Sequence, residues 1–248
     1  MKQIWIPGIH SVLAVLERGG KTVDELWLQE GSRNPRLEKI QVRAQELGLP
    51  IHRHRREELD AHAEGVRHQG VIALYRPPPP YSEVDLETLL DQAGTDALLL
   101  VLDGVTDPHN FGACLRSAAA AGLTAVIVPK DRAVGLTPVV RRAAAGGAEQ
   151  VPVVTVTNLA RTLRKLKNHG VWLVGLAGGT EKSIYSLDLR GPLALVLGAE
   201  GEGIRRLTAE TCDYLARIPM PGQMESLNVS VATGVILFEA VRQRGGGV

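Results

Sequence analysis

Apolar runs of four to six residues alternate with helical segments after residue 96, and this alternation limits the possible folds more than any other feature of the chain. The runs lie at residues 97–102, 125–128, 151–156, 171–176, 193–197 and 214–218, and the helical patterns at 111–121, 159–168, 203–211 and about 230–244. Strands that are apolar throughout are buried on both faces, as they are in a parallel sheet covered by helices. The pattern predicts an α/β fold built on such a sheet.

Four consecutive prolines, Pro77–Pro80, separate this region from the first part of the chain. Proline has no backbone N–H to donate and favours a stiff polyproline-II spacer. We therefore expect two domains, at residues 1–75 and 84–248, joined by a linker at residues 76–83. A length of 248 residues is sufficient for a small domain beside a medium one.

The first 75 residues carry weaker signals of the same mixed kind. A helix is predicted to begin at Gly8 and a second to span residues 36–47, with strands at residues 25–28 and 71–74. These signals indicate a small α/β domain that precedes the larger one.

The densest basic run of the chain, His52–Arg56, lies in this first part. One interpretation is a solvated loop whose charges are balanced by Glu57, Glu58 and Asp60. The other is a patch that contacts RNA phosphates and gains affinity by releasing counterions. The sequence leaves both interpretations open.

Composition excludes several classes of protein. The formal net charge is +1, so any affinity for RNA must come from local patches and not from overall charge. Cys114 and Cys212 belong to no paired motif, which argues against a disulfide framework or a zinc site and favours a reducing cytoplasm. The first residues lack the apolar core of a signal peptide, and no apolar stretch has membrane-spanning length. We expect a cytoplasmic protein without a membrane partner.

Nucleotide-binding fingerprints are missing from the sequence. No G-x-G-x-x-G follows the early predicted strands, and no G-x-x-x-x-G-K-[ST] occurs. The nearest candidate, Gly198–Gly203, has its glycines in another order and contains two glutamates that would repel a pyrophosphate. A dinucleotide or ATP site is therefore disfavoured.

Three polar segments instead follow predicted strands, at residues 102–118, 195–203 and 218–232. Taken one at a time, each has an ordinary structural explanation. Asn110 or Ser230 could cap a helix, Arg116 could form a surface ion pair, and the glycines at 198–203 could make a strand-to-helix turn.

Together, and in this order and spacing, the three segments resemble the signature motifs of the SpoU–TrmH family in the SPOUT superfamily of RNA 2′-O-ribose methyltransferases. The likeness extends over essentially the whole chain. Gly8–His10, His68–Val71 and residues 102–116 are most similar to bacterial members that methylate a guanosine in the peptidyl-transferase loop of 23S rRNA. The substrate implied is the large ribosomal subunit or its precursor.

The resemblance implies a fold, a cofactor and an assembly. The larger domain is expected to contain a deep trefoil knot, an exception to the rule that chains do not thread loops. Residues 1–75 are expected to form an L30e-like RNA-binding domain. The implied methyl donor is S-adenosyl-L-methionine, bound between the second and third segments, without a metal ion. Family members are typically homodimers.

The resemblance also assigns roles to single residues, in two groups. The catalytic candidates are Arg116 and Asn110 in the first segment, Glu200 in the second, and Ser226 and Asn228 in the third. The cofactor-binding candidates are Gly198, Ile218 and Leu227, with Gly201 and Met220 as further positions.

The chemistry restricts what Arg116 can do. Methyl transfer to a hydroxyl is an in-line displacement, and the hydroxyl must lose its proton. The family arginine is regarded as the base, but a guanidinium stays protonated in proteins. We expect Arg116 to bind a phosphate and stabilise alkoxide charge, and Glu200 to orient Arg116 or the loops.

Two other functions fit parts of the sequence. One is a tRNA ribose methyltransferase of the same fold, although the simpler tRNA enzymes lack an L30e-like domain. The other is a non-catalytic RNA-binding assembly protein, against which the intact set of catalytic candidates argues.

A few further residues have structural interpretations. Trp5, Trp27 and Trp172 each lie in an apolar run and are predicted to be core residues. Cys114 is predicted to pack within a small-residue helix, and His68 to lie in the turn before a strand.

Overall fold

The computed structural model describes residues 3–199 and 201–245, so Glu200 lies outside the described residues. The first sheet and its helices, here called the four-stranded unit, run from β1 to β4. The elements are β1 (Ile4–Pro7), α1 (Ile9–Glu17), β2 (Val23–Gln29), α2 (Pro35–Glu46), β3 (Ile51–His54), α3 (Arg56–His62) and β4 (Val71–Tyr75). The strand order is β1-β4-β2-β3, with β4 antiparallel to both neighbours and β3 parallel to β2.

Helices α1 and α2 share a core with the strands of this unit. Val12, Leu16 and Ile40 of the helices are buried together with Leu26 and Val71 of the sheet. The start of α2 follows from its sequence, because the Asn34 side chain accepts a hydrogen bond from the amide of Arg36 and a proline occupies the first turn.

The second sheet, here called the six-stranded unit, carries the remaining elements. They are α4 (Glu83–Ala93), β5 (Leu98–Asp103), α5 (Pro108–Ala120), β6 (Ala125–Pro129), α6 (Pro138–Ala144), α7 (Gly147–Gln150), β7 (Val153–Val156), α8 (Leu159–Asn168), β8 (Trp172–Leu176), β9 (Leu193–Gly198), α9 (Arg206–Thr211), β10 (Tyr214–Ala216) and α10 (Val229–Gln243). The order is β10-β8-β9-β5-β6-β7, and every pairing is parallel.

Both faces of this sheet are buried, as the continuous apolar runs predict. Successive residues of β5 point to opposite sides, so Leu98 and Leu100 contribute to one apolar cluster and Leu99 and Val101 to the other. The α/β fold with a parallel sheet is therefore confirmed.

Several predicted boundaries differ from the structure. The helix predicted at residues 203–211 begins only at Arg206, because Gly203 pairs with Ala199 in an isolated β-bridge. The short elements β1, β3, α3, α4, α6 and α7 were not predicted.

The basic run His52–Arg56 is not a loop, since it forms the end of β3 and the beginning of α3. The carboxylate balance of the loop interpretation is nevertheless observed for two acids. His54 lies 3.5 Å from Glu58, and Arg56 lies 3.6 Å from Asp60. Arg53 donates instead to the neutral side-chain oxygen of Gln41 at 2.9 Å, so its charge has no carboxylate partner among the described residues, and the phosphate-contacting alternative stays a prediction.

None of the helices within the described ranges has both the length and the apolar character needed to cross a bilayer.

Candidate active site

A cavity of about 610 Å³ lies at the carboxyl ends of β8, β9 and β10. This edge of a parallel sheet is where α/β folds usually bind ligands. All five positions expected to bind a cofactor line the cavity, together with one catalytic candidate: Gly198, Gly201, Ile218, Met220, Leu227 and Ser226. The structure thus brings the second and third sequence segments together around one space.

Gly198, the last residue of β9, is covered by the loop that follows it. A Cβ atom at this position would lie 1.9 Å from the carbonyl carbon and oxygen of Gly203 and 2.3 Å from the nitrogen of Ile204. Real Cβ atoms do not come closer than 3.0 Å to such neighbours. Any side chain at residue 198 would therefore displace the segment that forms one wall of the cavity.

The third segment forms another wall and offers backbone groups to a ligand. Ile218 and Leu227 both border the cavity, and neither amide donates a hydrogen bond to a residue that the structure describes. These two amides are free to donate to a ligand in the cavity, and their role in binding the cofactor stays a prediction.

Asn228 connects the third segment to the first. Its side-chain oxygen accepts from the amide of Ser230 at 2.9 Å and from the Ser230 hydroxyl at 2.6 Å, so Asn228 caps α10 and the alternative in which Ser230 caps it is wrong. The Asn228 Nδ2 donates to Oδ1 of Asn110 at 2.9 Å. Two catalytic candidates that are 118 residues apart in sequence are therefore in direct contact.

Asn110 is available for this contact because another residue caps its helix. The carboxylate of Asp107 accepts from the Asn110 amide at 2.7 Å and begins α5, with Pro108 in the first turn. The interpretation of Asn110 as the helix cap is therefore wrong.

Arg116 lies on the exposed side of α5, about two turns beyond Asn110. Its guanidinium forms no ion pair or hydrogen bond with the residues that the structure describes, so a surface ion pair is not observed there. It is not among the residues that line the cavity. A guanidinium with no acidic partner among the described residues is suited to bind an anionic group such as a phosphate.

The acid of the second segment, Glu200, lies outside the described residues. Among its neighbours, Glu202 lines the cavity, as do Glu225 and Arg217 on the opposite side. Sequence reasoning did not single out these three charges. They make the cavity polar at its rim, while Leu197, Val229 and Ala232 supply apolar surface.

A buried ion pair between Asp103 and Arg205 was also missed. Asp103 ends β5 and is 1% exposed. Its carboxylate accepts from Arg205 Nε at 2.6 Å and from the Arg205 amide at 3.2 Å. The pair anchors the chain just after the Gly198–Gly203 loop. A signal was present in the sequence, because a carboxylate at the end of a fully apolar strand requires a partner when it is buried.

The prediction that the tryptophans are core residues is wrong for Trp172, which is 52% exposed and stacks on Tyr214 with ring centroids 5.8 Å apart. Trp172 is the first residue of β8, where the strand emerges from the helical cover. Trp5 and Trp27 are half-buried, with rings 4.7 Å apart.

Two other structural predictions are confirmed. Cys114 is fully buried, 3.3 Å from the hydroxyl of Thr233 on α10. His68 is buried in the turn before β4, where its Nδ1 accepts from the amide of Gly70 at 3.0 Å.

A family profile described as the SpoU rRNA Methylase family matches residues 97–238, more than half of the chain. This chain belongs to the SpoU rRNA methylase family. A second profile, described as RNA 2′-O ribose methyltransferase substrate binding, matches residues 5–81. The resemblance of the three sequence segments is therefore confirmed.

Relatives of this SpoU family chain match it over nearly its full length. The 23S rRNA (guanosine-2′-O-)-methyltransferase RlmB of Pseudomonas putida is 57% identical, over 96% of both chains. A crystal structure described as an RNA 2′-O ribose methyltransferase superposes with a TM-score of 0.77 at 29% identity, covering 97% of this chain and 88% of that one. The SpoU methyltransferase AviRb from Streptomyces viridochromogenes, solved in complex with AdoMet, has the same fold, with a TM-score of 0.78 at 24% identity over 99% and 92% of the two chains.

Within the ranges 3–199 and 201–245, no group of three or more histidine, cysteine, aspartate or glutamate side chains is placed to hold a metal ion. The described part of the site consists of loops, backbone groups and charged side chains such as Arg217, with Arg116 nearby on α5.

Proposed function

We propose that this chain is an S-adenosylmethionine-dependent enzyme that methylates the ribose 2′-hydroxyl of a guanosine in the peptidyl-transferase loop of 23S rRNA. The observation that carries the proposal is the hydrogen bond between Asn228 and Asn110. It joins the loop that lines the cavity to the helix that presents Arg116. The relative from Pseudomonas putida, named for 23S rRNA guanosine 2′-O-methylation, supports the substrate.

The cavity fits S-adenosylmethionine in size and in chemistry. Its volume of about 610 Å³ lies within the range of about 300–1,000 Å³ found for small-molecule sites. Apolar side chains such as Leu227 and Met220 can pack against an adenine, and the amides of Ile218 and Leu227 can bond to its edge. Glu202 or Glu225 suits the positive end of the donor, and Arg217 suits its carboxylate.

When bound, S-adenosylmethionine supplies a methyl group that its sulfonium already activates, so the reaction needs no metal ion. The chain must then align the 2′-hydroxyl with that methyl group and accommodate the loss of a proton. In our proposal Asn110, Ser226 and Asn228 fix the geometry. Arg116 stays protonated, binds the phosphate beside the target ribose and stabilises the developing alkoxide.

Glu200 has a supporting role in this mechanism. We assign to it the orientation of Arg116 or of the loops, and not the acceptance of the proton. A Glu200→Gln enzyme is expected to keep the pH–rate profile of the wild type. Unchanged RNA binding with a shifted pH–rate profile would instead identify Glu200 as the proton acceptor.

The division of labour along the chain is also part of the proposal. Residues 1–75 bind the rRNA, residues 76–83 link the domains, and residues 84–248 carry out the transfer in the cytoplasm. The substrate-binding profile at residues 5–81 supports the first assignment. The trefoil knot and the L30e-like character of the first domain stay predictions from the family resemblance.

A homodimer completes the proposed enzyme. Val231 and Phe238, seven residues apart on α10, form an apolar stripe, with exposures of 52% and 50%. Apolar patches of this kind mark protein interfaces, and a twofold dimer would cover the stripe on both copies. We expect the wild type to sediment at twice the monomer mass and Phe238→Glu to sediment as a monomer.

Two alternatives remain to be separated from this function. A tRNA ribose methyltransferase would modify tRNA, and the substrate-binding match at residues 5–81 together with the rRNA-named relatives disfavours it. A non-catalytic assembly protein would bind rRNA but not S-adenosylmethionine. Calorimetric titration with S-adenosylmethionine separates the last possibility directly.

The deciding experiment maps ribose methylation in rRNA from cells with and without this protein. Loss of one guanosine mark in the peptidyl-transferase loop is expected, with restoration by the wild-type gene. Arg116→Ala should not restore the mark, and Arg116→Lys should restore it poorly, because an ammonium cannot reproduce the two-pronged contact of a guanidinium. Arg206→Ala, which removes an arginine that is 88% exposed, is the matched control. An unchanged rRNA methylation pattern contradicts the proposed function, and full restoration by Arg116→Lys contradicts the role given to the guanidinium.

A further inference from the structure

Helix α7 and the glycines that lead into it lie between the four-stranded unit and α5. Gly146 has a φ of +94°, and a Cβ there would lie 2.9 Å from the carbonyl oxygen of His10 and 3.1 Å from Cβ of Ala14, both on α1. A Cβ on Gly147 would lie 2.8 Å from the carbonyl oxygen of Leu115 and 3.0 Å from Cα of Arg116. The Gly146-Gly147 pair therefore contacts the first unit on one side and the backbone of the catalytic candidate Arg116 on the other.

A group of charged residues extends this contact. Arg18, just after α1, donates a hydrogen bond to the backbone carbonyl of Glu149 on α7. The side chain of Glu149 is completely buried and pairs with Arg141 of α6. The Arg141 guanidinium lies 6.0 Å from the ring centroid of Tyr75, the last residue of β4. The Arg141–Glu149 ion pair thus lies next to two residues of the four-stranded unit, Arg18 and Tyr75.

This ion pair is costly to bury. Arg141 Nε and Glu149 Oε2 are buried without a hydrogen-bond partner. Burial raises the pKa of the Glu149 carboxyl, and the attraction to Arg141 only partly opposes this. Buried pairs of this kind add little net stability compared with apolar packing, and in some proteins they are kept because they select one arrangement.

The linker does not by itself fix the orientation of the four-stranded unit relative to the six-stranded unit. Pro77–Pro80 have no backbone donors, and a cavity of about 540 Å³ separates them from β6 and the loop that follows it. The chain is next held at Tyr81, whose carbonyl accepts from the amide of Thr155 at 3.2 Å. The orientation of the four-stranded unit therefore depends on the contacts of α7, and not on the linker segment between β4 and Tyr81.

We propose that Arg18, Arg141 and Glu149 are positioning residues that hold the four-stranded unit in one orientation on the helix that carries Arg116. The inference rests on the proposed function, because its consequence is that RNA bound by the first unit meets Arg116 in a fixed geometry. A fixed orientation lowers the ordering cost of RNA binding.

The test removes Arg18, the member of this group of three that belongs to the four-stranded unit. Arg18→Ala is compared with Arg43→Ala, which removes the same charge from the same unit but loses only an exposed pair with Glu46. Spin labels at Lys39→Cys on α2 and Arg164→Cys on α8 report the distance between the units in the full-length chain. RNA affinity is measured with a transcript that carries the peptidyl-transferase loop, and S-adenosylmethionine affinity by calorimetry.

We expect Arg18→Ala to broaden the distance distribution and to weaken RNA binding by about tenfold, which corresponds to the loss of one charge-assisted hydrogen bond. In Arg18→Ala, the affinity for S-adenosylmethionine and kcat at saturating RNA should stay within twofold of the wild-type values. Arg18→Lys should recover part of the RNA affinity, and Arg43→Ala should resemble the wild type in all of these measurements. An Arg18→Ala chain with an unchanged distribution, or with RNA binding within twofold of the Arg43→Ala control, overturns the inference. Because distance and RNA binding are read without catalysis, the inference can stand if methylation of 23S rRNA is not observed, and it can fail if methylation is observed.

Discussion

Replacing Gly198 by alanine tests the claim that the cavity depends on the close passage of two backbone segments. The added Cβ would lie 1.9 Å from the carbonyl of Gly203, and 3.4 Å is the lower limit of an ordinary contact. The Gly203 backbone would therefore have to retreat by about 1.5 Å. Both partners are backbone, so no side-chain rotation can relieve the clash.

The expected cost follows from overpacking, which destabilises well-packed regions by about 1–3 kcal/mol. For a chain of this size each 1 kcal/mol lowers the melting temperature by about 2–4 °C, so a fall of roughly 2–12 °C is expected. The displaced segment forms a wall of the cavity, so S-adenosylmethionine should bind at least about tenfold more weakly, a loss of about 1.4 kcal/mol. Calorimetric titration and thermal unfolding measure the two effects.

Gly179→Ala is the matched control, because a Cβ at Gly179 meets no atom within 4 Å and its φ is not in the left-handed region. It should leave both measurements nearly unchanged. If Gly198→Ala bound S-adenosylmethionine within twofold of the wild type and melted at the same temperature, the account of the cavity given above would be refuted.

Two further predictions concern the buried groups around the sheet. Asp103→Asn should lower the free energy of unfolding by about 1–3 kcal/mol and weaken S-adenosylmethionine binding, because Arg205 loses its buried partner. The control, Asp188→Asn, affects an exposed pair with Arg190 and should lower the free energy of unfolding by less than about 1 kcal/mol. Equal losses for the two variants in denaturant titrations would contradict this prediction. Burial raises the pKa of the Cys114 thiol from 9.0 to about 11, so as the pH rises the unfolded chain loses this proton before the folded chain does. The contribution of the thiol to the stability of the folded state is therefore complete below pH 9.0 and is lost as the pH rises towards 11. Between pH 8 and pH 10 the wild type should lose about 1 kcal/mol more of its free energy of unfolding than Cys114→Ala, and parallel pH profiles of the two proteins would exclude the effect.

The parallel sheet and the cofactor loops were predictable because their signals are local. Continuous apolar residues such as those of β5 require burial on both faces, wherever the neighbouring strands come from. Gly198, Ile218 and Leu227 were assigned through the resemblance of the three segments to the family motifs, and all three line the cavity. Short elements such as β3 and α3 were missed, because a strand with exposed His52 and Arg53 has no apolar pattern and is held by its pairing with β2.

The contacts within the site could not be predicted in the same way. Asn110 and Asn228 meet because α10, which Asn228 caps, packs against α5. Asp103 and Arg205 are 102 residues apart, and neither residue indicates its partner. Trp172 lies in an apolar run that predicts burial, yet its position at the beginning of β8 leaves it exposed.

The sequence by itself determined the secondary-structure alternation, the family and the identity of the residues in the three segments. These depend on residue type and spacing along the chain. The tertiary structure alone decided the strand order, the buried pair of Asp103 with Arg205, and the contact of α7 with both α1 and Arg116. Such contacts arise when the whole chain packs, since a buried charge or a missing Cβ is satisfied by whichever distant segment the fold brings against it.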